Sequence, residues 1–161
     1  MQVVYTLVRV VLALMLAFVG SLLWMGPAGV RLHRQQLYVH AASRGTMPVL
    51  RALGTLGADP NSAMTGGHPL YYAAWHGQEE AARYLVAAGA VVDAVDPSGL
   101  TPLMAAASRG HDRIVALLLA NKARVKAAAS CGNALDLALA NHHPSAAELL
   151  TAAGAVPSRS R

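Results

Sequence analysis

The sequence predicts an all-α chain, a solenoid of four stacked helix-turn-helix units preceded by one N-terminal transmembrane helix. Three observations lead there. From residue 35 onward, a pattern of turn, small-residue helix, turn and leucine-rich helix returns about every 33 residues. The stretch from Val10 to Val30 contains no charged residue. Alanine is frequent and aromatic residues are few, which suits helices that must approach one another closely.

Residues 1–9 form a short flank with one charge, Arg9. As a helix, residues 10–30 span roughly 31 Å, close to the ~30 Å thickness of a bilayer's hydrocarbon layer. Trp24 stands near the far end, where an indole suits the headgroup boundary, and Gly26-Pro27 ends or kinks the segment. A solenoid of four units has no core large enough to bury such a helix, so it reads as a membrane anchor. Gly26-Pro27-Ala28 also has the small-residue spacing of a signal-peptide cleavage site, and a chain exported and cut after Ala28 is the alternative. Arg31, Arg34 and Arg44 follow the span, against Arg9 before it, which places the repeats of a retained anchor on the cytoplasmic side. Export places them in the periplasm or lumen instead. Residues 31–36 are the juxtamembrane linker. At about 3.5 Å per residue it holds the repeats near the bilayer, which favours a membrane-associated partner.

The third unit shows the repeating pattern most fully. Asp96-Pro97-Ser98-Gly99 has the residue types of a tight turn. Thr101 then offers a capping hydroxyl, and Pro102 takes the first helical position, where a missing N–H costs nothing. The inner helix stops near Gly110, and Asp112 opens a second apolar run, Ile114–Leu119. One period earlier, His68-Pro69-Leu70 falls on Thr101-Pro102-Leu103, Ala73-Ala74 on Ala106-Ala107 and Gly77 on Gly110. Ala41-Ala42 and Gly45 mark a first copy, and Ala134-Leu135 with Ala138 begins a fourth. The domain covers 37–156, in units of about 35–62, 63–95, 96–128 and 129–156, followed by a polar tail, 157–161, expected to be disordered. Inner helices are predicted near 37–44, 69–76, 102–109 and 134–141, and outer helices near 47–56, 79–88, 112–120 and 144–153. Pro48 and Pro144 fall in first turns of outer helices, where proline is tolerated. Val49, Leu50 and Leu53 align with Ala81, Ala82 and Leu85, with Ile114, Val115 and Leu118, and with Ala146, Ala147 and Leu149 or Leu150. These columns form the expected core between units.

The chain resembles the ankyrin-repeat family over roughly residues 35–156, most specifically at Thr101-Pro102-Leu103, Gly110-His111 and Ile114-Val115 through Leu119. It departs from the family pattern in places. Met104, Tyr71 and Asp136 stand where the family has histidine, His68 replaces the capping threonine, and the outer two units lack Thr-Pro. Terminal units are expected to be atypical because one flank meets water. The resemblance implies a non-enzymatic module whose turns and inner helices line a concave face that grips a protein partner. The positions after the paired alanines are Ser43-Arg44, Trp75-His76, Ser108-Arg109 and Ala140-Asn141, and the turn positions are Met64-Thr65-Gly67 and Pro97-Ser98-Leu100. The candidate protein-binding residues are Ser43, Arg44, Tyr72, Trp75, His76, Pro97, Ser98, Leu100, Ser108, Arg109 and Asn141. Trp75 leads them. It is large, lies at i,i+3 from Tyr72 and is flanked by Arg44 and Arg109 of neighbouring units. Trp and Arg are the residue types enriched at binding hot spots.

Other function classes fit poorly. The net charge of +5 comes from the two ends, because residues 37–156 hold eight bases, from Arg44 to Lys126, against eight acids. A nucleic-acid domain carries its basic patch on the folded surface, and Arg124–Lys126 reads as a solvated hairpin. His142 and His143 diverge by about 100° on a helix, and His76 is separated from Glu80 by Gly77 at a helix boundary. Zinc needs three or four converging ligands, and Cys131, expected in the turn before the fourth inner helix, is the one cysteine. No phosphate-binding loop or nucleophile elbow occurs. The expectation is therefore no catalytic residue, no metal, no cofactor, no nucleic acid and no small-molecule substrate.

Overall fold

Each predicted unit has one apolar face, and two short helices alone cannot cover it. The computed structural model describes residues 29–63 and 66–158 and shows how the units cover one another. The chain divides into two compact units, Met1–Arg34 and Gln35–Arg161. Of the first, only residues 29–34 are described, and they are helical. The flank 1–9 and nearly all of the expected span 10–30 lie outside the described residues, among which no helix is long and apolar enough to cross a membrane.

Helical residues 29–44 (α1) are followed by α2 (Met47–Thr55), α3 (Pro69–Trp75), α4 (Glu79–Ala87), α5 (Pro102–Ser108) and α6 (Asp112–Ala120). Then come a two-residue hairpin, β1 (Ala128–Ala129) with β2 (Gly132–Asn133), and finally α7 (Ala134–Ala140) and α8 (Pro144–Ala152). Six of the eight expected helices end one residue early, and the hairpin is a small exception to the all-α expectation. The expected linker 31–36 is helical, since neither glycine nor proline interrupts the chain from Val30 to Arg44.

Side-chain capping marks the starts of α5 and α7. The Thr101 hydroxyl accepts the Met104 N–H at 3.2 Å. His68 makes no such bond in α3, and its Nδ1 instead lies 2.9 Å from the Asn61 carbonyl oxygen. In the fourth unit, which lacks Thr-Pro, Asn133 replaces the threonine. Its Oδ1 accepts the Asp136 N–H at 3.0 Å, while Asp136 Oδ2 accepts the Asn133 N–H at 2.9 Å, a reciprocal capping box. The first three inner helices end on left-handed glycines, Gly45, Gly77 and Gly110, whereas α7 ends on left-handed His142. A Cβ on Gly77 would stand 2.7 Å from the His111 ring, and one on Gly110 would stand 2.5 Å from the His143 ring. The turn histidines of the third and fourth units thus rest on the bare backbone of the unit before, and Gln78 lies over Gly45 in the same way.

Inner helices α3, α5 and α7 stack on one another, and outer helices α4, α6 and α8 form a second layer against them. Tyr38, Leu70, Leu103 and Leu135 fill matching inner slots and are all buried. Ala41, Ala73, Ala106 and Ala138 form a second buried column, and Ala58, Ala90, Ala123 and Ala155 a third, where the outer helices end. In the outer layer, Leu50, Leu85, Leu118 and Leu150 are fully buried, so Leu150 rather than Leu149 takes the core slot. Val49 departs from its expected column and is 47% exposed.

Side chains also tie the loops of successive units. Asn61 Oδ1 accepts the Val91 N–H at 2.6 Å, and Asp93 Oδ1 accepts the Arg124 N–H at 2.9 Å in the matching position. The Arg124 guanidinium reaches Asp93 as well, at 3.1 Å, so this residue is a bridge between units rather than merely solvated. Lys126, next in that column, has no acceptor, and there the series stops. Part of the expected disordered tail is also held, since Ser158 donates from its amide and hydroxyl to Asp136.

Candidate functional site

Seven-residue inner helices bring the positions after the paired alanines to one end of the inner layer. Trp75 is the last residue of α3, and Arg109 caps α5. The Arg109 guanidinium carbon lies 4.1 Å from the Trp75 ring centroid, a cation–π contact across the unit boundary. One turn back, Tyr71 stacks on Trp75 with centroids 6.1 Å apart and planes 22° from parallel. The Tyr71 pKa is pushed up to about 12, first by burial and then by the Asp96 carboxylate. Asp96 Oδ1 also accepts the amides of Ser98 (2.9 Å) and Leu100 (2.8 Å), which fixes the turn carrying Leu100.

These elements enclose a hollow of about 340 Å3 lined by Trp75, Leu100, Ser108, Arg109, Cys131, Leu137 and Asn141. Five sequence candidates meet there: Trp75, Leu100, Ser108, Arg109 and Asn141. The Ser108 hydroxyl donates to the Ala105 carbonyl (2.9 Å) and Asn141 Nδ2 to the Leu137 carbonyl (2.8 Å). Each side chain thus commits a donor to its own helix.

The other candidates lie elsewhere. Ser43 bonds the His40 carbonyl in the first unit, away from the hollow. Arg44 is exposed, and among the described residues the cation–π contact with the Trp75 ring is made by Arg109. Tyr72 is half-buried, edge-on to Tyr71 at 5.6 Å. His76 is exposed, and Pro97 and Ser98 sit at an exposed turn tip. Met64 and Thr65 lie outside the described residues.

Sequence reasoning missed Tyr71, Leu137 and Cys131. The first was legible as the i,i+4 neighbour of Trp75, and Leu137 as that of Asn141. Cys131 enters the wall only because β1 and β2 fold its turn toward α5, which no helical periodicity encodes.

Nearby carboxylates are engaged. Glu79 binds Arg83 at 2.8 Å and Arg113 at 3.4 Å, and these partners, Arg83 first, hold its carboxyl below the usual range. Arg44 and Arg109 have no acidic partner among the described residues. Nor does any group of three or more His, Cys, Asp or Glu converge there as metal ligands.

Residues 88–160 match a family model described as ankyrin repeats (3 copies), and residues 65–97 match one described as an ankyrin repeat. The ankyrin repeat protein nuc-2 of Neurospora crassa is 49% identical over 51 residues, which cover 31% of this chain and 5% of that protein.

Proposed function

The chain belongs to the ankyrin-repeat family, and on that premise we propose that it is a non-catalytic module, held at a membrane, that binds a protein partner through its inner-helix face. The observation carrying this reading is the Arg109–Trp75–Tyr71 group in a hollow built from three units. Trp75 is half-buried, so a partner side chain entering beside Leu100 and Leu137 removes the rest of its apolar surface from water. Arg109, already oriented by the ring, loses little rotamer freedom on binding, which reduces the entropic cost. A Trp75→Ala, Arg109→Ala double variant is expected to fold normally and to lose about 2 kcal/mol or more of partner affinity, roughly thirtyfold. Undiminished binding by the folded variant overturns the choice of residues.

Membrane attachment rests on the uncharged run at residues 10–30, with the repeats cytoplasmic and the partner itself membrane-associated. The second reading, an exported periplasmic accessory protein supporting another enzyme or envelope component, rests on the small-residue spacing of Gly26-Pro27-Ala28. Alkaline phosphatase fused to the carboxyl end separates them. An inactive fusion retained in membranes supports the anchor, and an active one supports export.

A further inference from the structure

Carboxylates on the inner-helix side are committed, whereas the arginine at the hollow is not. Asp96 accepts two backbone amides, and Asp93 holds Arg124. Asp136 accepts the Asn133 and Ser158 amides. Arg109 is exposed, with its guanidinium over the Trp75 ring and no acidic partner among the described residues. The ring attracts a face of the guanidinium and leaves its planar fork of N–H donors available along the edges, an arrangement suited to a carboxylate. Trp75, Leu100, Cys131 and Leu137 supply apolar wall beside Arg109, with Ser108 and Asn141 as the other polar lining. Two units earlier in the same column stands Arg44, exposed and without an ion pair, so the uncompensated charge along this face is positive.

From these features we infer that the hollow receives an acidic peptide segment of a protein partner. An Asp or Glu carboxylate pairs with Arg109, and an adjacent apolar side chain packs against Trp75, Leu100 and Leu137. The inference rests on the proposed reading of this face as the binding surface and adds the chemistry of what binds. A basic segment would meet like charge at Arg109, and a neutral one would cover the guanidinium without returning the hydrogen bonds it loses from water.

Cys131 supplies a local readout, because it is the single cysteine of the chain, is exposed and lines the hollow. The test uses the full chain in mild detergent and three labelled synthetic peptides with central sequences Leu-Glu-Leu-Glu, Leu-Gln-Leu-Gln and Leu-Lys-Leu-Lys. Affinity is read by fluorescence anisotropy, and occupancy by the rate at which N-ethylmaleimide alkylates Cys131. The glutamate peptide is expected to slow alkylation and to bind about tenfold tighter than the glutamine peptide. That preference is expected to weaken with added salt, to shrink in Arg109→Lys and to vanish in Arg109→Gln, whose fold is checked by circular dichroism. If the glutamine or lysine peptide binds as tightly and protects Cys131, the acidic preference is wrong while the face remains a docking surface. If the glutamate peptide binds without protecting Cys131, or binds Arg109→Gln equally well, its site lies elsewhere and the inference fails. It fails also if none of the three binds.

Discussion

Truncating Leu103 to alanine tests whether the units share one core. Leu103 is 1% exposed, and its helix α5 packs on both α3 and α7. The change removes the equivalent of three methylenes at about 0.8 kcal/mol each, or about 2.4 kcal/mol of transfer free energy. Neighbours on both sides prevent full collapse of the space, and a cavity term brings the cost to about 3 kcal/mol. For a domain of this size that lowers the melting temperature by about 10 °C. Leu139→Ala is the control, because Leu139 is also on an inner helix but is 51% exposed on the last unit. With no unit beyond it among the described residues it leaves no cavity, and its cost should stay below about 1 kcal/mol. Urea denaturation of the full chain in mild detergent, followed by circular dichroism at 222 nm, measures both. Equal costs for the two substitutions would refute the stacked-core reasoning, because they would mean that Leu103 has no neighbour pressing on it.

Three further outcomes follow from the same packing. Ala107 is fully buried where the fourth unit meets the third, so Ala107→Leu should cost about 1–3 kcal/mol or more by overpacking, although the matching position in the last unit is already leucine. Asn133→Ala removes the capping box of α7 and should destabilise by about 1 kcal/mol, measurable in the same denaturation curves. Tyr38 and Tyr71 have pKa values raised from 10.0 to about 12, chiefly by burial. Their folded state holds the proton more tightly than the unfolded chain, so their contribution to stability is full below pH 10 and lost as pH rises to about 12. Stability against pH over that interval should fall less steeply for Tyr71→Phe, and an unchanged slope contradicts the assignment.

Much of the architecture was legible because the repeat period, Pro at helix starts and Gly at helix ends act locally. Leu70, Leu103 and Leu135 could be aligned by spacing alone, and all three occupy matching buried slots. Tyr38 completes that column without resembling leucine, so spacing predicted the slot and not its occupant. Asn133 and Asp136, spaced as N-cap and N3, carry a legible capping box in the unit that lacks Thr-Pro. The bridge from Arg124 to Asp93 joins residues 31 apart in loops, and Val49 is exposed in a column expected to be core; neither follows from one unit's own pattern. At the site, position along each inner helix identified Trp75 and Arg109. Which arginine stacks on the indole is not written in the spacing, since Ser43-Arg44 and Ser108-Arg109 are the same pair, and the place of Cys131 depended on a two-residue hairpin.

Thiol footprinting in native membranes tests most directly whether the inner-helix face is the surface that holds a partner. Alkylation of Cys131 is compared, before and after a salt wash that strips bound proteins, with alkylation of an Ala116→Cys, Cys131→Ser chain, Ala116 being an exposed position on α6. The account predicts that Cys131 is shielded before the wash and reactive after it, while the thiol on α6 reacts equally in both states. A thiol on α6 that is shielded and then released, with Cys131 reactive throughout, contradicts it.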